Sequence, residues 1–246
     1  MQGPNVLCLA AIREVANAYA DTTSLSEKIV FFGCFVLFGL AGVLARGLDH
    51  DLLLAIYGQG DVQIIGFWRA VSFVGSGPIL FSAVGVAGLI LLWRNQRITA
   101  LGFLMGWALT SLTVDWVKWL LGRERPTLPP LTSATGAAFP SGHAAQAAYV
   151  CFLLGMVLWH SRWLTEAGLW GNRFRRVCLG ILGAVPLAVG YSRVYLGVHW
   201  PSDVLGGWAV GLFFSALVWL IPQTGGASFS QSREIQSPGA HASVRE

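Results

Sequence analysis

Six apolar segments, each close to the length of a helix that crosses a bilayer, constrain this chain more than any other feature. They are Ile29–Ala45, Gly77–Trp93, Ile98–Val114 (running on toward Trp119), Ala144–Trp159, Val177–Tyr191 and Val204–Ile221. A bilayer core is spanned by about 17–25 such residues. Inside it, every backbone N–H and C=O must find a partner in protein, which leaves helices and closed barrels as the available structures. One such run fits a buried helix of a soluble domain, but six do not. With 54% of its 246 residues hydrophobic and 11% charged, the chain is expected to be an all-α, integral-membrane bundle of six transmembrane helices. Residues 28–222 would form this unit, preceded by a segment over 1–27 and followed by a disordered tail over 223–246, rich in Gly, Ser and polar residues.

The first span has a clear start: Ser24 and Glu27 have capping-box spacing, and Lys28 precedes the apolar run. Residues 5–19 read as a short amphipathic helix on the membrane surface. Four cysteines (Cys8, Cys34, Cys151 and Cys178) lack metal-ligand spacing and read as small buried hydrophobes. Most of the eleven tryptophans fall near span ends, as in an interfacial belt. The formal charge of +4 is spread along the chain, which excludes the basic stripe of a nucleic-acid binder.

Charge placement sets orientation. With six spans, ten of the sixteen lysines and arginines share a side with both termini, and Arg46, Arg69, Lys118, Arg123, Arg125 and Arg193 lie opposite. The positive-inside rule then places the termini in the cytoplasm. It gathers on the extracytoplasmic face three polar stretches, Lys118 to Arg125-Pro126, Pro140-Ser141-Gly142-His143, and Ser192-Arg193 followed by His199 and Asp203. Ionisable groups clustered at membrane depth mark a functional site. The outer segment from Asp49 to Ser76 carries a short amphipathic helix capped by Asp61, with Ile64, Ile65, Trp68 and Val71 on one face. It reads equally as an interfacial lid and as a packed spacer.

These residues suit phosphoryl transfer, where catalysis is positioning plus stabilisation of charge spread over three oxygens. Lys118, Arg125 and Arg193 offer cations, the arginines as planar forks. Ser141 and the Gly142 N–H add donors at the start of the fourth span, whose N-terminus favours an anion. His199 and Asp203 are one turn apart behind Pro201, which suits a first helical turn, so the carboxylate can fix the imidazole tautomer and raise its basicity. Elsewhere the polar residues have plainer readings. His50, His160 and His241 are satisfied polar groups, and Arg46, Arg94 and Arg97 are snorkelling anchors. Arg123 and Glu124 read as a solvated loop, and Asp115 either pairs with Lys118 or stands alone at a helix end.

The set Lys118-x6-Arg125-Pro126, Pro140-Ser141-Gly142-His143 and Ser192-Arg193-x5-His199-x3-Asp203 resembles the three motifs of the type 2 phosphatidic acid phosphatase and vanadium haloperoxidase superfamily. All eleven typed positions agree, and the resemblance spans roughly residues 50–221. It implies a metal-independent membrane lipid phosphatase with no cofactor. His199 would be the nucleophile that forms a phosphohistidine. His143 would protonate the leaving oxygen and then activate water. Phosphatidic acid, phosphatidylglycerol phosphate, undecaprenyl diphosphate and lipid A are the substrate classes it implies. An extracytoplasmic site in a bacterial plasma membrane best suits undecaprenyl diphosphate or a related envelope lipid. A binding or transport protein would need the cations but has no use for both histidines and Asp203. The family's halogenating enzymes are soluble and much longer, and phosphotransfer between lipids shares the same motifs. Beyond its membrane lipid substrate, the sequence points to no partner and is silent on oligomeric state.

Overall fold

The protein is described here by a computed structural model covering residues 44–220 except 59, 94 and 160–166, with scattered positions between 33 and 40. The expected N-terminal segment, more than half of the first span, His160, His241, Cys8, Cys34, Arg94 and the tail lie outside the described residues.

Among those residues the structure is all-helical. A 3₁₀ turn over Ala45–Leu48 leads into α1 (Asp49–Ile56), α2 (Val62–Val74), α3 (Gly77–Trp93), α4 (Arg97–Leu121), α5 (Gly142–Trp159), α6 (Gly168–Tyr195) and α7 (Pro201–Trp219). Five stretches are long and apolar enough to cross a membrane: α4, α5, α6, α7, and Val62–Trp93 taken across the bend at Gly75. The protein is therefore a multi-pass membrane protein.

Two helices outrun the apolar runs that announced them. α4 continues past Val114 to Leu121, where Gly122 at φ 54° ends it in the left-handed conformation and donates its N–H to the Lys118 carbonyl. α6 begins nine residues before Val177, in a polar stretch held by Arg175 Nη2 donating to Asn172 Oδ1 at 3.0 Å. Hydropathy registers where the lipid lies, while the hydrogen-bonded ladder runs on beyond it.

The outward faces are apolar. Leu89, Leu101, Leu112, Trp119, Val177 and Ile181 are each more than half exposed. In water this would be a large unfavourable surface, but in a bilayer it is the lipid-facing exterior. Inside, Leu80, Val84, Phe103, Trp107, Tyr149, Val150, Leu153, Val189 and Val218 form the main core, drawn from α3 to α7. Tyr149 is fully buried and its hydroxyl donates to the Phe103 carbonyl at 2.8 Å, so its one polar atom is satisfied. Cys151 is buried and Cys178 half-buried, both free, as small apolar residues would be. Trp93, Trp116, Trp119 and Trp159 are exposed, whereas Trp219 is buried.

One seam places the polar end of the bundle. On α7, a Cβ added at Gly207 would lie 2.5 Å from the Ser141 carbonyl oxygen, and one at Gly211 would lie 2.2 Å from that of Ala145. α7 therefore meets the start of α5 backbone to backbone, and Ser141 N–H donates to the Asp203 carbonyl at 2.9 Å. Gly207→Ala is expected to cost about 1–3 kcal/mol through overpacking. The thermal transition in detergent should fall with it. Gly180→Ala, where a Cβ meets nothing within 4 Å, serves as the control.

Candidate active site

The C-terminus of α4, the N-terminus of α5, the C-terminus of α6 and the N-terminus of α7 lie at one end of the bundle, and all three polar stretches meet there. Lys118 sits on the last turn of α4, and a Cβ placed on Gly142 would lie 4.0 Å from its Nζ. The first stretch thus touches the second. His143, half-buried in the first turn of α5, lies within electrostatic reach of Arg193, His199, Lys118 and Arg125.

The chain enters α7 through a turn built for close approach. Gly197 adopts φ 69°, and a Cβ there would lie 2.7 Å from the Tyr57 ring. Pro201 takes the first position of α7, as its fixed φ and missing N–H allow. Asp203, one turn in, folds back so that Oδ2 accepts from the Trp200 N–H at 2.9 Å and stands 3.4 Å from His199 Nδ1. The expected His199–Asp203 juxtaposition is therefore present, with a contact longer than a formed hydrogen bond. Such contacts commonly tighten when a site is loaded.

His199 is 2% exposed. Burial, and then the charges of Arg193, Arg125 and Lys118, hold its imidazole well below the usual histidine range. The shift is a depression, so the ring stays neutral as pH falls through 6.5 and takes a proton only at lower pH. With Asp203 at Nδ1, the proton of the neutral ring belongs on that nitrogen, leaving a lone pair on Nε2. Selective imidazole ¹⁵N labelling, with the peak assigned by its loss in an H199Q variant, is expected to show a neutral ring at about pH 5.5. An imidazolium signature at pH 6.5 would contradict this.

The three cations are used unequally. Arg193 is 4% exposed, and its Nη1 donates to Ser72 Oγ of α2 at 2.6 Å. Arg125 spends most of its fork on backbone: Nε donates to Gly136 O at 3.0 Å, Nη1 to Val198 O at 2.6 Å, and Nη2 to Thr135 O at 2.7 Å. Its Nη1 also faces His199 Nε2 at 3.5 Å. In this structure Arg125 binds the loop before Pro140 to the turn before His199, with one edge turned to the imidazole. Three buried polar atoms of the motif residues, Ser141 Oγ, Arg193 Nε and His199 Nδ1, make no hydrogen bond within the protein. His199 Nδ1 faces Asp203, while the open donors Ser141 Oγ and Arg193 Nε suit a site completed by an anion with several oxygens.

Arg123 overturns its reading as a solvated loop residue. Its Nη1 lies 2.6 Å from Asp203 Oδ1 and 2.7 Å from Ser202 Oγ, and its Nη2 lies 2.6 Å from Asp49 Oδ2. Asp49 is 3% exposed and belongs to the segment read as lid or spacer, so neither residue was singled out for the site. The one available signal was electrostatic: a buried carboxylate needs a cation, and Gly122 turns the next residue back over the bundle end. Asp115 is exposed on α4, and His50 is exposed with only a 3.8 Å contact to Asp51. Arg46 stacks its guanidinium over Phe139 at 5.3 Å.

α2 forms as expected, with Asp61 Oδ1 accepting from Gln63 N–H at 3.1 Å. It packs on the bundle. Arg69 Nε donates to Leu131 O at 2.6 Å, Trp68 lies against Tyr191 and Tyr195, and Ser72 holds Arg193.

Known families place this constellation. The model of the PAP2 superfamily matches residues 99–226, which include all three stretches. The chain belongs to the PAP2 superfamily. It is similar to phosphatidylglycerophosphatase B of Bacillus subtilis, 30% identical over 60% of this chain and 70% of the relative. It is also similar to an undecaprenyl-diphosphatase of Sulfolobus acidocaldarius, 30% identical over 71% of this chain and 88% of the relative. Among solved structures, the transmembrane PAP2 type phosphatidylglycerolphosphate phosphatase of Bacillus subtilis superposes with a TM-score of 0.65 at 25% identity, over 78% of this chain and 94% of the other.

Proposed function

We propose that this PAP2 protein hydrolyses a phosphomonoester or diphosphate on a membrane lipid through a covalent phosphohistidine. The observation that carries the reading is the meeting of His143, the His199–Asp203 pair and three cations from separate stretches at one end of a membrane bundle. A binding protein needs the cations alone. His199 Nε2 attacks phosphorus, and the bond to the leaving oxygen breaks as His143 gives that oxygen a proton. His143, now neutral, takes a proton from water, whose oxygen attacks the phosphohistidine and releases His199 and inorganic phosphate. Asp203 holds the imidazole and balances its charge. Lys118, Arg193 and the edge of Arg125 that faces His199, with Ser141 Oγ and the Gly142 N–H, hold the phosphoryl oxygens.

The distribution of lysines and arginines supports cytoplasmic termini and a site on the extracytoplasmic side of a bacterial plasma membrane. On that side the accessible phosphorylated lipids are those of envelope assembly, and a prenyl diphosphate of the undecaprenyl class fits best. Phosphate release by the purified protein in detergent, against a panel of lipid phosphates with EDTA present, tests the reading. Sustained release with the highest kcat/KM on a prenyl diphosphate is expected. A higher value on a glycerolipid monoester would replace the substrate and keep the reaction, while no release from any lipid phosphate would overturn both.

A further inference from the structure

Asp203 is fully buried, and its two oxygens face different partners. Oδ2 serves the Trp200 N–H and His199, while Oδ1 meets Arg123 Nη1 at 2.6 Å. Among the described residues Arg123 is the one cation bonded to this carboxylate. The same guanidinium reaches a second buried acid, with Nη2 2.6 Å from Asp49 Oδ2. Asp49 then grips the residue beside Asp203: Ser202 N–H donates to Asp49 Oδ1 at 2.9 Å, and Ser202 Oγ–H to Asp49 Oδ2 at 2.6 Å. The outcome is a closed ring of side chains from α1, the loop after α4 and the first turn of α7. Arg123 has its hydrogen bonds to Ser202, Asp203 and Asp49, none of them to His199, and its guanidinium lies over the Trp200 ring, 5.6 Å from its centroid. Whatever it does for the reaction passes through Asp203.

We infer that Arg123 and Asp49 are positioning residues, a clamp that fixes the Asp203 carboxylate, in its charged form, beneath His199. Two charge relations make the pair necessary. Removing the guanidinium leaves two buried carboxylates close together with no cation between them, an arrangement in which both cannot stay ionised and aligned. Removing the Asp49 charge turns the whole cation toward Asp203, so the carboxylate is drawn from the imidazole toward Arg123. The planar fork is what allows one residue to address both acids. The inference rests on the reading that Asp203 orients His199.

A double-mutant cycle tests it, because a residue that acts through Asp203 loses its effect once Asp203 is disabled. In purified protein, R123Q is expected to lower kcat by about tenfold or more with KM within about threefold. D49N should give a smaller loss of about threefold or more in kcat. The decisive comparison is R123Q/D203N and D49N/D203N against D203N alone, where the additional loss should be under about threefold. A purely structural tie predicts multiplied losses, and that outcome would overturn the inference, as would wild-type kcat in R123Q. Should R123Q fail to fold, D49N with D49N/D203N decides alone, since it leaves the Arg123–Asp203 bond in place. Wild-type kcat in D203N would sink the dyad reading itself and this inference with it. An impaired D203N beside unimpaired R123Q and D49N would sink only the clamp.

Discussion

Replacing His199 by alanine is expected to remove phosphatase activity, with kcat falling by at least about 10⁴-fold. The size follows from what the side chain supplies. In the proposed reaction its neutral ring, held so by burial and three nearby cations, is the nucleophile, and water from solution would have no comparable approach to a phosphorus held by Lys118, Arg193 and Ser141. The bundle should persist, because His199 lies in the turn between α6 and α7, outside the helices that build the main core. Phosphate release at each lipid, together with the thermal transition in detergent, checks both halves. Full activity in H199A with an intact fold would favour a carrier of lipid phosphates over an enzyme.

The second large effect concerns His143. H143A is expected to lose about 10²–10⁴-fold in steady-state turnover on a lipid substrate, the usual contribution of a general acid and base. Its partial reactions should differ. With an aryl phosphate, whose leaving group departs without protonation, the attack by His199 proceeds while the water step lacks its base. Phosphoenzyme should then accumulate in H143A, as an acid-labile, base-stable phosphoryl label on the protein. The label should be missing from H199A and from the double variant. Loss of the label together with turnover would show that His143 is needed for attack as well.

The eleven motif positions were legible in the sequence because each couples a reactive residue type to a fixed spacing, and spacing survives folding when the residues share one turn. His199 and Asp203 are the clear case, four apart on a helix start marked by Pro201. The five spans among the described residues could be read because lipid imposes a length on apolar runs. What escaped was set by tertiary approach. Asp49 and Arg123 are 74 residues apart, and nothing periodic links a carboxylate on one short helix to a guanidinium after another. The division of labour among the cations was equally hidden. Arg125 and Arg193 look alike in sequence, yet one is bonded to the carbonyls of its own loop and the other to a hydroxyl on α2. Which acceptor an arginine meets depends on where the chain exposes unpaired oxygens, and residue type does not record that.

The single bond from Arg193 Nη1 to Ser72 Oγ has a thermodynamic consequence. Any displacement of α2 outward by more than a hydrogen-bond length leaves a buried guanidinium short of an acceptor, which costs on the order of 1–3 kcal/mol. A phosphate bound beside Arg193 provides acceptor oxygens that offset this loss. The bond therefore ties the position of α2 to what occupies the pocket, because the helix can leave Arg193 at low cost only where another acceptor faces the guanidinium.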